Sequence, residues 1–388
     1  MAFRWHPAAR VFDGRGRAVA ACLTGPAVIA DRPSGLALAQ ALAAGVFRIG
    51  GVGAAPESGF QTLTSGSSGT PRRIARSHAS WTASFAVNAG LFGIGPGKRV
   101  AVLGRLVQSL SLYGAVEAVH LGAEVHLLDD LRPDRQAVAL AQRRVQTVYA
   151  APAQLRLLVE AGGDLPELGL VLVGGSKLDA GLRAGLAEIA PGARVVEFYG
   201  AAETSFITMA VAGSPPESVG APYPGVEVQV RGMGGVVAEG ERGEIWVRSP
   251  YLFDRYAGGQ GGAVWRDGWL SVGERGEMRD GFLYLHGRAG RMVTVADQNV
   301  FPEEIEGFLG GLPGVERVAV VPRADVLRGV HLVAVVMGDM RQEAAILRAV
   351  RGALGALKAP KVLIWREDWP ELASGKTDLQ RIMAEVGG

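Results

Sequence analysis

The sequence predicts an α/β protein with a large N-terminal domain of wound, mostly parallel sheets, a small β-rich subdomain and a small α+β C-terminal domain. Up to Tyr199, apolar strand-like runs alternate with helical segments of about 10–15 residues. From about Gly213 the chain changes to Pro, Gly and short β runs, and beyond Gly287 about 100 residues of mixed pattern are enough for another domain. The predicted domains are therefore 1–287, with its β-rich part at about 213–287, and 288–388.

The alternation assigns the elements of the first domain in order. Residues 1–59 form a short α/β lead-in with a helix at 36–44, and a strand follows at 60–63. The next helix is expected to be capped by Ser77 and to carry Trp81 and Phe85 on one face. Further strands are predicted at 99–103, 124–128, 147–150, 170–173 and 195–199, and further helices at 109–121, 135–144, 153–161 and 179–190.

The remaining elements belong to the β-rich part and the C-terminal domain. Short β runs are predicted at 226–230, 243–247 and 276–285. A domain boundary at 287–290 is followed by a helix at 303–309, strands at 315–321 and 331–336, a helix at 342–357 and a strand at 362–365.

Composition excludes several classes of function. A chain of 388 residues, 48% hydrophobic, suggests two or three domains, and a net charge of +2 without a basic, aromatic-rich block excludes nucleic acid as a partner. Apolar stretches are broken well before the roughly 18 residues that a membrane span needs. The single Cys22 excludes internal disulfides and fits a reducing compartment. Since residues 1–10 show no apolar signal-like run, we expect a cytoplasmic protein.

A loop rich in hydroxyl side chains has the composition of a polyphosphate site. It reads Thr64-Ser65-Gly66-Ser67-Ser68-Gly69-Thr70-Pro71-Arg72, with cations after the glycines. The Walker A loop ends in Gly-Lys-Ser/Thr, whereas here the second glycine precedes Thr70-Pro71, so a P-loop NTPase is excluded. A plain flexible loop remains the alternative.

Two further polar segments follow predicted strands of the parallel sheet. They are Gly174-Gly175-Ser176 and Tyr199-Gly200-Ala201-Ala202-Glu203-Thr204. Ligands of wound sheets bind beyond the carboxyl ends of the strands, which makes both segments candidate ligand contacts.

Six segments in a fixed order resemble the motifs of the adenylate-forming superfamily, which includes acyl- and aryl-CoA synthetases, firefly luciferase and the adenylation domains of peptide synthetases. The resemblance covers residue 60 to the C-terminus. The matching segments are the 64–72 phosphate loop, Tyr199 to Thr204, Gly243-Glu244-Ile245, the Gly268-Trp269 segment through Glu274, Gly287-Arg288 with 299–306, and 370–376 ending in Gly375-Lys376.

The resemblance implies ATP-dependent activation of a carboxylic acid to an acyl-AMP with release of pyrophosphate. It implies Lys376, Glu203 and Thr64 as catalytic residues, with Glu203 as the Mg²⁺ ligand. The alternative for Lys376 is a solvated loop lysine, and the alternative for Glu203 is a glutamate that only stabilises the start of a helix. Tyr199 is expected to stack on adenine, with a core position as the alternative. Glu274 is expected to contact the ribose, and Arg288 the ribose or a phosphate. The other expected nucleotide contacts are Ser65, Gly66, Ser67, Ser68, Gly69, Gly175, Ser176, Gly200, Ala201 and Thr204.

The chain departs from the family pattern at several places. Glu274 replaces an aspartate, and Gly290 takes the hinge position about which the C-terminal domain of relatives rotates. Ala296-Asp297 replaces a Gly-Gly pair that lines the pantetheine tunnel of CoA-using members. The segment before the phosphate loop is short, and 106–110 lacks the histidine found near the acyl site of relatives.

These departures keep three functions open. The first is transfer of the acyl group to a thiol, either CoA or the phosphopantetheine of an acyl-carrier protein. The second is transfer to an amine, and the third is an inactive homologue that only binds nucleotide or acyl groups. Trp81, Phe85, Gln108 and Gly174 are candidates for the acid pocket, with core packing as the alternative. The short N-terminal region also leaves a homodimer open.

Overall fold

A computed structural model describes residues 2–51, 53–64, 72–259, 263–295, 298–325, 329–372 and 375–386. The chain divides into two compact units. The first comprises the described residues up to 64, 72–228 and 247–270, and the second those of 229–246 and 271–386. The domain limits expected from the sequence stay a prediction.

Helices and strands follow one another as the sequence pattern predicts over most of the chain. The helices are α1 (Ser34–Ala44), α2 (Ala79–Phe92), α3 (Ser109–Leu121), α4 (Pro133–Gln142), α5 (Pro152–Ala161), α6 (Ala180–Ile189), α7 (Pro302–Gly310), α8 (Glu343–Lys358) and α9 (Leu379–Val386), with 3₁₀ turns at Ala289–Arg291 and Met340–Gln342. The strands up to residue 222 are β1 (Arg10–Phe12), β2 (Ala18–Val19), β3 (Val28–Ile29), β4 (Phe47–Ile49), β5 (Phe60–Leu63), β6 (Arg73–Arg76), β7 (Arg99–Val102), β8 (Glu124–Leu127), β9 (Thr147–Ala150), β10 (Leu170–Gly174), β11 (Arg194–Tyr199), β12 (Thr208–Ala210) and β13 (Ala221–Pro222). The later strands are β14 (Glu227–Gly232), β15 (Gly235–Val236), β16 (Gly243–Arg248), β17 (Arg255–Tyr256), β18 (Val264–Arg266), β19 (Trp269–Arg279), β20 (Phe282–Arg288), β21 (Val293–Val295), β22 (Gln298–Val300), β23 (Val315–Asp325), β24 (Gly329–Gly338) and β25 (Val362–Trp365).

The first unit is built on a nine-stranded sheet with a parallel centre. Its strand order is β13-β12-β11-β10-β9-β7-β8-β1-β2. The pairs from β11 to β1 are parallel, and β12, β13 and β2 add antiparallel edges. This arrangement confirms the wound, mostly parallel sheet predicted from the alternating apolar runs.

A second sheet of the first unit carries the strands on either side of the phosphate loop. Its order is β17-β6-β5-β4-β3, with β5 and β6 paired antiparallel. Strand β6 was not predicted. Helix α2 begins at Ala79 with His78 at the N-cap position, one residue later than Ser77. The Ser77 hydroxyl still accepts a hydrogen bond from the Ser80 amide at 3.3 Å.

A tight turn divides the run predicted as one strand at 276–285. Strands β19 and β20 form an antiparallel hairpin in which Arg279 pairs with Phe282. Asp280 and Gly281 between them have φ angles of 51° and 78°. Two successive positive φ angles are the geometry that an Asp-Gly hairpin turn provides, so the single-strand prediction was wrong.

The C-terminal part of the second unit is a small α+β structure. Its sheet has the order β23-β24-β25, and apolar residues of α7 and α8 pack with this sheet in one buried cluster. Helix α9, which was not predicted, contributes Ile382 and Val386 to a second cluster with β23 and β24. Among the helices of the described ranges, none has the length and apolar character to cross a membrane.

Candidate functional site

The stem of the phosphate loop is closed by hydrogen bonds between its two ends. Thr64 follows β5 and is 9% exposed. Its amide donates to the Arg72 carbonyl at 2.7 Å, and the Arg72 amide donates back to Thr64 Oγ1 at 3.0 Å. Residues 65–71 lie outside the described residues, so the contacts expected of Ser65, Gly66, Ser67, Ser68 and Gly69 stay predictions.

The loop that presents Glu203 is shaped by its own residues. A Cβ atom at Gly200 would lie 2.0 Å from the carbonyl oxygen of Ser205, so only glycine fits after Tyr199. The buried Thr204 hydroxyl accepts a hydrogen bond from the Ala201 amide at 2.9 Å. Thr204 therefore closes the loop, and a contact of Thr204 with nucleotide stays a prediction.

Two contacts connect the stem of the phosphate loop to Glu203. The Arg72 guanidinium lies over the ring of Tyr256, 5.7 Å from its centroid. The Tyr256 hydroxyl donates to Glu203 Oε1 at 2.9 Å. Burial, followed by the nearby Glu203 charge, raises the pKa of Tyr256 to about 12, so its hydroxyl keeps its proton near neutral pH. Tyr256 was missed by the sequence analysis.

Arg76, at the end of β6, also reaches the Glu203 loop and was likewise missed. It is 1% exposed, and its guanidinium donates to the Ala202 carbonyl, to Ser205 Oγ at 2.7 Å and to the Tyr251 carbonyl. Burial lowers the pKa of Arg76 to about 9, while the charges of Asp254 and Glu203 act in the opposite direction. Arg76 therefore remains a cation near neutral pH.

The two candidate ligand segments of the parallel sheet follow neighbouring strands. Strands β10 and β11 are parallel, and Gly174 pairs with Phe198 next to Tyr199. Gly175 has a φ of 110°, and it and Ser176 are exposed beyond the end of β10. The structure thus places these segments at the same edge of the sheet, as the sequence predicts.

The candidates for the acid pocket differ in their surroundings. Trp81 and Phe85 are 2% and 1% exposed and pack among aromatic rings, with Tyr113 at 5.2 and 5.4 Å from them. Core packing accounts for this burial, and contact of either ring with an acid stays a prediction. Gln108 lies just before α3 and bridges to Leu63 of β5.

In the second unit, two of the expected nucleotide contacts form an ion pair. Glu274 and Arg288 are opposite each other in the β19–β20 hairpin, and Arg288 Nε lies 3.0 Å from Glu274 Oε1. Both side chains retain partial exposure. The Ala296-Asp297 pair lies outside the described residues.

Lys376 is held in a turn before α9. The Leu372 amide donates to the Lys376 carbonyl at 2.8 Å, and Gly375 has a φ of 77°. Thr377 pairs with Glu371 in an isolated bridge, and its hydroxyl accepts a hydrogen bond from Trp369 Nε1 at 3.1 Å. The backbone at Lys376 is therefore fixed on both sides.

The donor set suits a magnesium ion that binds together with phosphates. No group of three or more His, Cys, Asp or Glu residues suited to a metal occurs in the part of the chain that the structure describes. Glu203 offers a carboxylate with one oxygen oriented by Tyr256. Mg²⁺ is commonly held by one or two carboxylates, waters and substrate phosphates, so Glu203 fits this role.

Comparisons with known proteins identify relatives of this chain in sequence and in fold. The chain is 34% identical over 332 residues to an uncharacterized acyl-CoA ligase of Bacillus subtilis, covering 83% of this chain and 67% of the relative. It is 29% identical to indoleacetate-CoA ligase of Aromatoleum aromaticum, covering 69% and 56%. The amide bond synthetase of Marinactinospora thermotolerans superposes with a TM-score of 0.75 at 25% identity, covering 92% of this chain and 79% of that one.

The two sequence relatives are longer than this chain, which spans 67% of the length of the first and 56% of the length of the second. The family described as AMP-binding enzyme matches residues 60–257, and its C-terminal domain matches 304–376. These two family matches include the phosphate loop, the Glu203 loop and Lys376. The chain belongs to the AMP-binding enzyme family, as the adenylate-forming resemblance of its motifs predicts.

Proposed function

We propose that this protein activates a carboxylic acid with ATP to an acyl-AMP and transfers the acyl group to a thiol, either CoA or the phosphopantetheine of a carrier protein. The observation that carries the proposal is the contact path in the first unit from Thr64 through Arg72 and Tyr256 to Glu203. These contacts connect the candidate phosphate-binding stem with Glu203, the candidate magnesium ligand.

In the first step, a carboxylate oxygen of the acid attacks the α-phosphorus of ATP. A phosphorus–oxygen bond forms, the bond to the bridging oxygen of the β-phosphate breaks, and pyrophosphate leaves. Bound Mg²⁺ supplies positive charge that stabilises the phosphate oxygens. Glu203 would hold this ion, and Lys376 would bind the substrate carboxylate and an α-phosphate oxygen through its compact ammonium group.

In the second step, a thiol sulfur attacks the acyl carbon of the acyl-AMP. The carbon–sulfur bond forms, the bond between the acyl carbon and the phosphate oxygen breaks, AMP leaves, and the thiol proton passes to solvent. The CoA-ligase names of the two sequence relatives support a thiol acceptor. The proposal assigns Tyr199 to the adenine, Glu274 to the ribose, and Arg288 to the ribose or a phosphate.

The first test is ATP–pyrophosphate exchange with a panel of aliphatic and aromatic acids. We expect exchange that depends on the acid and on Mg²⁺, and its loss by about 100-fold or more in Lys376→Ala and Glu203→Gln. Lys361→Ala changes an exposed lysine of the second unit, to which Lys376 also belongs. It is the matched control for Lys376→Ala and should retain exchange. Exchange that survives Lys376→Ala would refute the catalytic assignment. ATP binding without exchange for any acid would favour an inactive homologue.

A second candidate function delivers the acyl group to an amine. The similarity to an amide bond synthetase and the Ala296-Asp297 replacement favour it. Competition between CoA, hydroxylamine and simple amines for the activated acid separates the two, with product identified by mass spectrometry. Amide formation in the presence of excess CoA would support amine transfer over thiol transfer.

A further inference from the structure

We propose that Arg76 is a positioning residue that fixes the backbone around Glu203 for binding of magnesium together with ATP. The inference rests on the proposed function only for the identity of the ligand. It concerns a residue outside the six motifs that carry the family resemblance.

The peptide bond before Glu203 is fixed by Arg76. The Ala202 carbonyl accepts a hydrogen bond from Arg76 Nη1. Because a peptide group is planar, fixing the Ala202 oxygen also fixes the plane that contains the amide nitrogen and Cα atom of Glu203. Arg76 therefore fixes one of the two peptide planes that together set the direction in which the Glu203 side chain leaves the backbone.

The peptide bond after Glu203 and its carboxylate are fixed by two neighbours of β6. The Phe253 amide donates to the Glu203 carbonyl at 2.8 Å. Tyr256, whose hydroxyl binds Glu203, pairs with Ile74 of β6 through β17. Strand β6 thus controls the Glu203 loop by two routes, through Arg76 and through Tyr256.

Arg76 also supports an unfavourable conformation in the same loop. Ser205 has a φ of 58°, in the left-handed region that non-glycine residues rarely adopt. Its hydroxyl accepts from Arg76 Nη2 at 2.7 Å and donates to the Tyr251 carbonyl at 3.2 Å. These bonds hold Ser205 in place and so keep the turn after Glu203 closed.

The planar fork of the guanidinium explains why arginine suits this position. Nε donates to Ser80 Oγ at 3.2 Å, while the terminal nitrogens reach Ala202, Ser205 and Tyr251. A lysine keeps the charge but offers a single nitrogen, which cannot span acceptors on three separate segments. Arg76→Lys therefore tests the geometry while it conserves the charge.

The experiment measures ATP binding by calorimetry with Mg²⁺ and with a chelator, for wild type, Arg76→Lys, Glu203→Gln and the double variant. The quantity compared is the dissociation constant of ATP with the chelator divided by that with Mg²⁺, and this ratio reports how much magnesium strengthens ATP binding. We expect Arg76→Lys to lower this ratio about tenfold and to change the affinity for metal-free ATP less than about twofold. The double variant should show the same ratio as Glu203→Gln alone, because both substitutions act on the same interaction, that of Glu203 with magnesium.

Two further variants separate positioning from general stability. Arg143→Lys is the matched control, since Arg143 is a partly buried arginine of the same unit that donates to the carbonyls of Asp13 and Gly14. It should leave the ratio unchanged. If Arg76→Lys does not fold in circular dichroism, Ser205→Ala removes one acceptor of Arg76 and should lower the ratio about threefold.

The outcomes distinguish this inference from the proposed function. An unchanged ratio in the folded Arg76→Lys and Ser205→Ala variants, or additive effects of Arg76→Lys and Glu203→Gln, would overturn the positioning role. The expected ratios together with no pyrophosphate exchange in wild type would refute the proposed function alone. Wild type that fails to bind ATP with magnesium would contradict both.

Discussion

A buried acid in the first unit makes the stability of the protein depend on pH. Glu117 of α3 is fully buried, and its Oε1 accepts hydrogen bonds from Asn88 Nδ2 at 2.8 Å and from the Tyr113 hydroxyl at 2.9 Å. Its Oε2 accepts from the Tyr149 hydroxyl of β9. Burial raises the pKa of Glu117 to about 7, although these three hydrogen bonds favour the charged form.

The shift determines the size of the effect. In the unfolded chain Glu117 loses its proton near its ordinary pKa of 4.5, whereas the folded protein keeps it until about 7. The raised pKa in the folded state means that the stabilising contribution is complete below 4.5 and is lost as the pH rises through 7. A difference of roughly 2.5 pKa units corresponds to about 3 kcal/mol, most of which is lost between about pH 5 and pH 8.

Urea unfolding of wild type and Glu117→Gln across this pH range measures the effect. Glutamine cannot ionise, and we expect the free energy of unfolding of wild type to fall relative to that of the variant by about 2–3 kcal/mol from about pH 5 to pH 8. Glu188→Gln, an exposed glutamate of α6, is the control for charge removal. Parallel pH profiles for wild type and Glu117→Gln would show that the reasoning is wrong.

Two further changes test the Glu203 loop. Tyr256→Phe removes the hydroxyl donor of Glu203, and we expect it to weaken ATP binding in the presence of Mg²⁺ by about tenfold in calorimetry. Tyr251→Phe loses a hydrogen bond to a backbone carbonyl instead and should bind normally, so equal effects would contradict the role of Tyr256. Gly200→Ala places a Cβ 2.0 Å from a carbonyl oxygen and should lower Tm by several degrees. Gly90→Ala, in the open interior of α2, should raise Tm slightly, and a higher Tm for Gly200→Ala would refute the steric argument.

The sequence was sufficient for the features that local pattern encodes. Apolar runs alternating with helices predicted the parallel sheet, and the strand ends predicted the shared edge of Gly174 and Tyr199. The sequence also contains the signal for the hairpin of β19 and β20, because Asp280-Gly281 is a strong turn signal inside an otherwise extended run. The β-forming residues on both sides favour a single strand, whereas the two turn residues between them divide it into two.

The supporting residues of the site could not be read from local pattern. Arg76 lies 126 residues from Ala202, and Tyr256 lies 53 residues from Glu203. The residues next to Arg76 and Tyr256 in the sequence do not indicate these distant hydrogen-bond partners. In addition, a tyrosine near a strand is usually a core residue. Trp81 shows the opposite case, since its helical position favours core packing over a pocket, and its 2% exposure agrees with core packing.

The structure also separates two arginines that look interchangeable in the sequence. Arg76 uses Nε and both terminal nitrogens on neutral acceptors and is 1% exposed, so its guanidinium has no open path to a phosphate. Arg72, four residues earlier, is exposed at the stem of the phosphate loop and contacts the face of Tyr256. In the proposed function, positive charge for an incoming phosphate would come from Arg72, while Arg76 would act on the ligand through the geometry of Glu203. Because Tyr256 contacts both Arg72 and Glu203, a single ring would connect the proposed phosphate-binding cation with the proposed magnesium ligand.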